Sequence, residues 1–110
     1  MSIADILVRA AAAFGDSTAI VDRDRSFTYF ELATRAGSLA GAFARRGLGR
    51  GDRIAVLAQN SHEFAEAYFA AAAAAAILVP VNTRLSAREI RQILKDSGAR
   101  ALISSPLYSS

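Results

Sequence analysis

Few residues in this 110-residue chain have the type and spacing for chemistry. His62 is the only histidine and stands beside Glu63 in the first turn of a predicted helix, with no second His or Cys at metal-ligand spacing. It is expected to be a solvated helix-start residue. Asp22, Arg23, Asp24 and Arg25 alternate in sign between two short apolar runs, the pattern of a solvated hairpin tip. Gly47 to Gly51 reads GLGRG, but these glycines close a helix and precede a strand. A phosphate-binding loop runs the other way, from a strand into a helix whose free amides face the phosphates, so a connecting turn is expected. Arg84 differs from all of these. It lies in VPVNTRLS, a strand-to-helix connection of the kind where α/β proteins place ligand-binding groups, and its guanidinium could grip a phosphate. No metal site and no catalytic residue is expected.

The elements that must carry these residues follow from periodicity and capping. Ile3, Ile6, Leu7, Ala10, Ala11 and Phe14 recur at helical spacing, and Gly15 supplies a stop. Ala19 to Val21 and Ser26 to Thr28 predict a small hairpin. Thr28 with Glu31 makes a capping box for a helix whose apolar face is Leu32, Ala36, Leu39, Ala40 and Phe43, closed by Arg45, Arg46 and Gly47. Arg53 to Ala58 is a strand covered on both faces. Asn60 with Glu63, and Ser86 with Glu89, predict two more helix starts. The first of these helices runs into seven alanines, Ala70 to Ala76, which extend it and allow close approach to a sheet. Ile77 to Val81 and Ala101 to Ser104 complete the strands. The second helix presents Ile90, Ile93 and Leu94 and ends at Gly98. Strands separated by helices must join by crossovers, so the class is α/β, with parallel βαβ units behind an N-terminal hairpin.

Composition narrows the function. Thirteen Lys and Arg against ten Asp and Glu give a dispersed charge of +3, too mild for a nucleic-acid partner. There is no Cys, which excludes disulfides and thiolate chemistry. The start lacks the basic then unbroken apolar pattern of an export signal, and the uncharged stretch Ala67 to Thr83 is too short for a transmembrane segment and holds Pro80. A cytoplasmic location is expected.

Three stretches together carry a resemblance: DSTAIVDRDRSFTYFELATRAGSLAGAF, RGLGRGDRIAVLAQNSHEFAEAYFA and ILVPVNTRLSAREIRQILKDSGARALI. Their T-Y-x-E-L, G-D-R-I-A-V-L, N-S-x-E-F and V-P-V-N-x-R-L-S signatures resemble, in order and spacing, the N-terminal region of the adenylate-forming (AMP-binding) acyl-CoA synthetases, acid-thiol ligases. The resemblance implies that residues 1–110 are an incomplete portion of the N-terminal subdomain of that fold. It implies an intact enzyme that uses ATP and Mg to turn a small-molecule carboxylic acid into an acyl-adenylate and passes the acyl group to coenzyme A. The family's Ser/Thr/Gly-rich phosphate loop with its lysine, adenine-binding aromatic motif, ribose-binding aspartate and catalytic lysine have no counterpart here, so the chain is expected to be inactive without the rest of the ligase. One residue carries over: the counterpart of Arg84 in some aryl-CoA ligases lies near the nucleotide phosphates of coenzyme A, which makes Arg84 the expected cofactor-binding residue. The family also has a glycine in the stretch matching Ala73 to Ala76, and its replacement by alanine is expected to alter packing there. The competing expectation is a non-enzymatic interaction or dimerisation module built on the same start, forming a homo-oligomer through an exposed sheet edge and apolar surface.

Overall fold

The structure is a computed structural model that describes residues 3–57 and 62–104. Its elements run α1 (Ile3–Phe14), β1 (Thr18–Asp22), β2 (Arg25–Thr28), α2 (Tyr29–Arg45), β3 (Arg53–Leu57), α3 (His62–Ala74), β4 (Ile77–Val81), α4 (Ala87–Ser97) and β5 (Ala101–Ser104). β1 and β2 pair antiparallel, and β3 lies between β4 and β5 in a parallel sheet of order β4-β3-β5. The expected α/β class and parallel connections are therefore present. Ala58 and Asn60, the expected strand end and helix cap, lie outside the described residues.

Local chemistry explains where the elements start. Thr28 Oγ1 accepts from the Glu31 amide at 3.1 Å while Glu31 Oε1 accepts from the Thr28 amide at 2.9 Å, so both free amides at the start of α2 are satisfied. Ser86 and Glu89 repeat the arrangement at α4, at 3.2 and 3.1 Å. Pro80 has no amide hydrogen to give a neighbour, and it sits on β4, an edge strand, where none is required.

The central strand divides two cores. Ile54 packs with Phe43 and Leu48 and with Ala70 of α3. Ala55 and Leu57 turn the other way, joining Val81 beneath Leu85, Ile90, Ile93 and Leu94. Thus α2 and α3 cover one face of the sheet and α4 the other, as right-handed crossovers to opposite sides require. A third cluster, Leu7, Leu32 and Ala36, joins α1 to α2 and to the flanking Ala19, Ile20, Ala65 and Phe69. At the amino ends of the strands, the Asp52 carboxylate accepts from the Gly49 amide at 2.8 Å and from Arg100 Nη1 at 3.0 Å, and Arg53 Nη1 reaches the Ser97 carbonyl at 2.7 Å. The first two bonds hold the Asp52 carboxyl below its ordinary pKa, the Gly49 amide contributing most.

The alanine run has a backbone consequence. α3 ends with the Ala76 amide donating to the Ala71 carbonyl at 2.9 Å and the Ala75 amide to the Ala72 carbonyl at 3.2 Å. That is a Schellman ending, and its turning residue Ala75 has φ 58°. α2 ends the same way, with Leu48 bonded to Phe43 and Gly47 to Ala44, but there the turning residue is Gly47 at φ 73°. Within the stretch Ala73 to Ala76, where loss of a glycine was expected to alter packing, the backbone holds a left-handed alanine at Ala75, a conformation costing a non-glycine residue about 1–2 kcal/mol.

Candidate functional site

Two places in the fold collect groups able to do chemistry: a buried knot where the hairpin meets α2 and α3, and the turn between β4 and α4.

The knot is centred on His62, which the sequence led us to expect in solvent. It is 5% exposed. Its ring stacks on Phe27, centroids 4.4 Å apart, and its Nδ1 is in contact with Asp22 Oδ2. The same carboxylate oxygen accepts from the His62 backbone amide at 3.2 Å, so Asp22 acts as a cap for α3 from 40 residues away in sequence. The hairpin tip is therefore solvated only in part: Arg23, Asp24 and Arg25 are exposed, whereas Asp22 is drawn inward. The side-chain bond from His62, followed by the backbone bond, holds the Asp22 carboxyl below its ordinary pKa. Glu66, one helical turn beyond His62, is also buried. Its Oε1 accepts from Arg35 Nε at 2.5 Å, and among the described residues its Oε2 has no hydrogen-bond partner. The guanidinium groups of Arg25 and Arg35 lie 4.9 and 5.4 Å from the Phe27 ring centroid. Sequence reading missed this assembly because Asp22 and Arg35 stand 40 and 31 residues from their partners. The only local signal was the His62–Glu66 spacing on one helix face.

The second place is the turn 82–85, at the carboxyl end of β4. Asn82 Oδ1 accepts from the Arg84 amide at 2.8 Å, and the Asn82 carbonyl accepts from Leu85 at 3.3 Å. Val81 before the turn is buried, and Leu85 after it packs onto the α4 core. The turn is thereby pinned at both ends and presents Arg84 to solvent, without a carboxylate partner among the described residues. In open α/β sheets, ligands bind outside the carboxyl ends of the strands, and the connections after β3 and β4 leave here toward opposite faces. The GLGRG stretch, by contrast, is the expected turn, with Leu48 buried and Gly49 bonded to Asp52.

Comparison with known proteins gives a consistent picture. A family model described as AMP-binding enzyme matches residues 7–109. The 4-hydroxybutyrate–CoA ligase 2 of Metallosphaera sedula is 36% identical over 97 residues, covering 88% of this chain and 18% of that protein. A feruloyl-CoA synthase from Amycolatopsis sp. is 38% identical over 102 residues, 93% of this chain and 21% of the relative. Among solved structures, the NpsA N-terminal subdomain of Klebsiella oxytoca in complex with 3-hydroxybenzoyl-AMSN aligns with a TM-score of 0.86 at 32% identity, over 96% of this chain and 27% of that one. The chain spans about a fifth of the length of these curated relatives.

Proposed function

The chain belongs to the AMP-binding enzyme family, and from that premise we propose that residues 1–110 serve as the opening part of the ligase domain of an acyl-CoA synthetase. The observation that carries this reading is the near-complete match of the chain to relatives that are CoA ligases, at 36% and 38% identity.

In that enzyme a carboxylate attacks ATP to give an acyl-adenylate and pyrophosphate, and the thiol of coenzyme A then displaces AMP. ATP would supply the adenylyl group, with pyrophosphate as the leaving group, and Mg would offset the charge of the phosphates. What this chain can contribute follows from its own residues. No glycine-rich loop opens a helix, and the only lysine, Lys95, is exposed in the last turn of α4. These residues do not fit a triphosphate cradle, and neither half-reaction is derived through them. Arg84 does fit a phosphate: a permanently charged, planar fork, exposed and without a carboxylate partner among the described residues, on a turn held from both sides. Its role is to hold a phosphate of coenzyme A during the second half-reaction.

The test is ATP–pyrophosphate exchange with a panel of carboxylic acids. The 110-residue chain alone should give none, and a protein carrying this segment at the length of its relatives should give exchange with one class of acid. Exchange by the chain alone, surviving repurification and lost on denaturation, would overturn the reading.

A further inference from the structure

We propose that His62, Glu63 and Glu66 form a binding site for a divalent transition-metal ion of the zinc type, with Asp22 as the residue that positions the imidazole. His62 and Glu66 stand at i and i+4 on α3, the spacing at which two side chains of one helix face can share a cation. Metal-donor atoms of Asp22, His62 and Glu63 lie within 4.8 Å of one another. Asp22 contacts Nδ1, the arrangement in which the tautomer protonated on that nitrogen offers the Nε2 lone pair to an ion. A carboxylate that orients an imidazole in this way is the usual outer support of a metal-bound histidine.

Nε2 faces the two glutamates, 3.4 Å from Glu63 Oε1 and 3.9 Å from Glu66 Oε2. A proton on Nε2 cannot satisfy Glu66 across 3.9 Å, because a hydrogen bond needs about 3.2 Å or less. Around a tetrahedral ion with bonds of about 2.0–2.1 Å, neighbouring donors sit roughly 3.4 Å apart, close to the two separations between Nε2 and the glutamates. Glu66 is the independent sign of a ligand. Its side chain is 9% exposed, and Oε2 has no hydrogen-bond partner among the described residues. Burying a carboxylate oxygen without a partner is costly, and a cation at Nε2 removes that cost. Charge agrees. A metal-bound imidazole is neutral, and in that state Asp22, Glu63 and Glu66 are opposed inside the cluster, among the described residues, by Arg35 alone, while Arg23 and Arg25 stay exposed at the hairpin. Two negative charges are left for a divalent ion. One nitrogen and carboxylate oxygens favour zinc over magnesium, which takes oxygen ligands in an octahedron. Such an ion clamps the hairpin, through Asp22 and His62, to α3.

The probe is Zn²⁺ added to the metal-stripped 110-residue chain, read by calorimetry and melting temperature, with Co²⁺ absorption as the check on coordination. The expected result is one saturable equivalent, a rise in melting temperature, and affinity reduced about tenfold or more by Glu66→Gln or His62→Gln. If either variant loses its native circular dichroism, Glu63→Gln decides, because that side chain is 32% exposed and outside the core. Absence of saturable binding below about 1 mM Zn²⁺, affinity unchanged in Glu63→Gln and Glu66→Gln, or Mg²⁺ binding as tightly as Zn²⁺ would each overturn the proposal.

Discussion

The two faces of the β4-β3-β5 sheet are built from similar βαβ crossovers but finished differently. On the α2–α3 face, Phe43, Ile54, Ala70 and Ala67 are buried, and the polar groups that enter, His62 and Glu66, find partners on the hairpin and on α2. On the α4 face no residue of the helix is buried; Ile90, Ile93 and Leu94 are half-covered, and Arg84 at its entrance faces solvent. One face is completed by the chain itself, and the other presents its contacts outward. The two faces therefore offer different kinds of site: a buried cluster whose groups are already held by one another at His62 and Glu66, and a charged side chain held out to solvent on a pinned turn at Arg84.

Truncation should show the contrast at its largest. Phe43→Ala empties a site closed on all sides and is expected to cost about 3–5 kcal/mol, whereas Ile93→Ala removes a half-exposed side chain and should cost roughly 1 kcal/mol. Urea unfolding of both variants checks this. Equal losses would mean that the α4 face is as closed as the other.

The two Schellman endings sharpen the comparison within the closed face. Ala75→Gly relieves the left-handed alanine but adds unfolded-state freedom, for a net gain of about 0.5–1 kcal/mol. Gly47→Ala creates the same strain at the end of α2 and should cost about 1–2 kcal/mol. Melting temperatures should move in opposite directions by a few degrees. A loss on Ala75→Gly would place the strain elsewhere.

A smaller effect is expected in acid. The Asp52 and Glu89 carboxyls are both held below their ordinary values of 3.8 and 4.5, Asp52 first by the Gly49 amide and Glu89 first by the Ser86 amide. For a depressed carboxyl, the unfolded chain takes up protons first as pH falls. The stabilisation is therefore full above the ordinary pKa and is lost as pH drops through the lower folded value. Asp52→Asn should flatten the fall in melting temperature below about pH 4, while Glu89→Gln, on an exposed helix start, should flatten it less.

What the sequence made legible was what neighbours decide. Ile77–Val81 and Ala101–Ser104 were readable as short apolar runs, and the Thr28–Glu31 and Ser86–Glu89 boxes join residues only three positions apart. The left-handed turn at Ala75 was not legible, because a run of alanines gives no sign of where within it the backbone takes a φ of 58°. The His62 knot was illegible. Nothing beside His62 announces that a hairpin carboxylate 40 positions earlier caps its helix, because that meeting depends on how α1, α2 and α3 pack. Arg84 could be singled out because its signal, a turn after a parallel strand, is also local, and the structure does place it on such a turn, exposed.

The proposed role of Arg84 is to act on the phosphates of coenzyme A and not in the fold. Its most direct test is Arg84→Ala in a ligase carrying this segment, with the two half-reactions measured separately. The account predicts adenylate formation nearly unchanged and thioester formation weakened roughly tenfold in coenzyme A use, equivalent to about 1.4 kcal/mol. Equal losses in both half-reactions, or no loss in either, would contradict it.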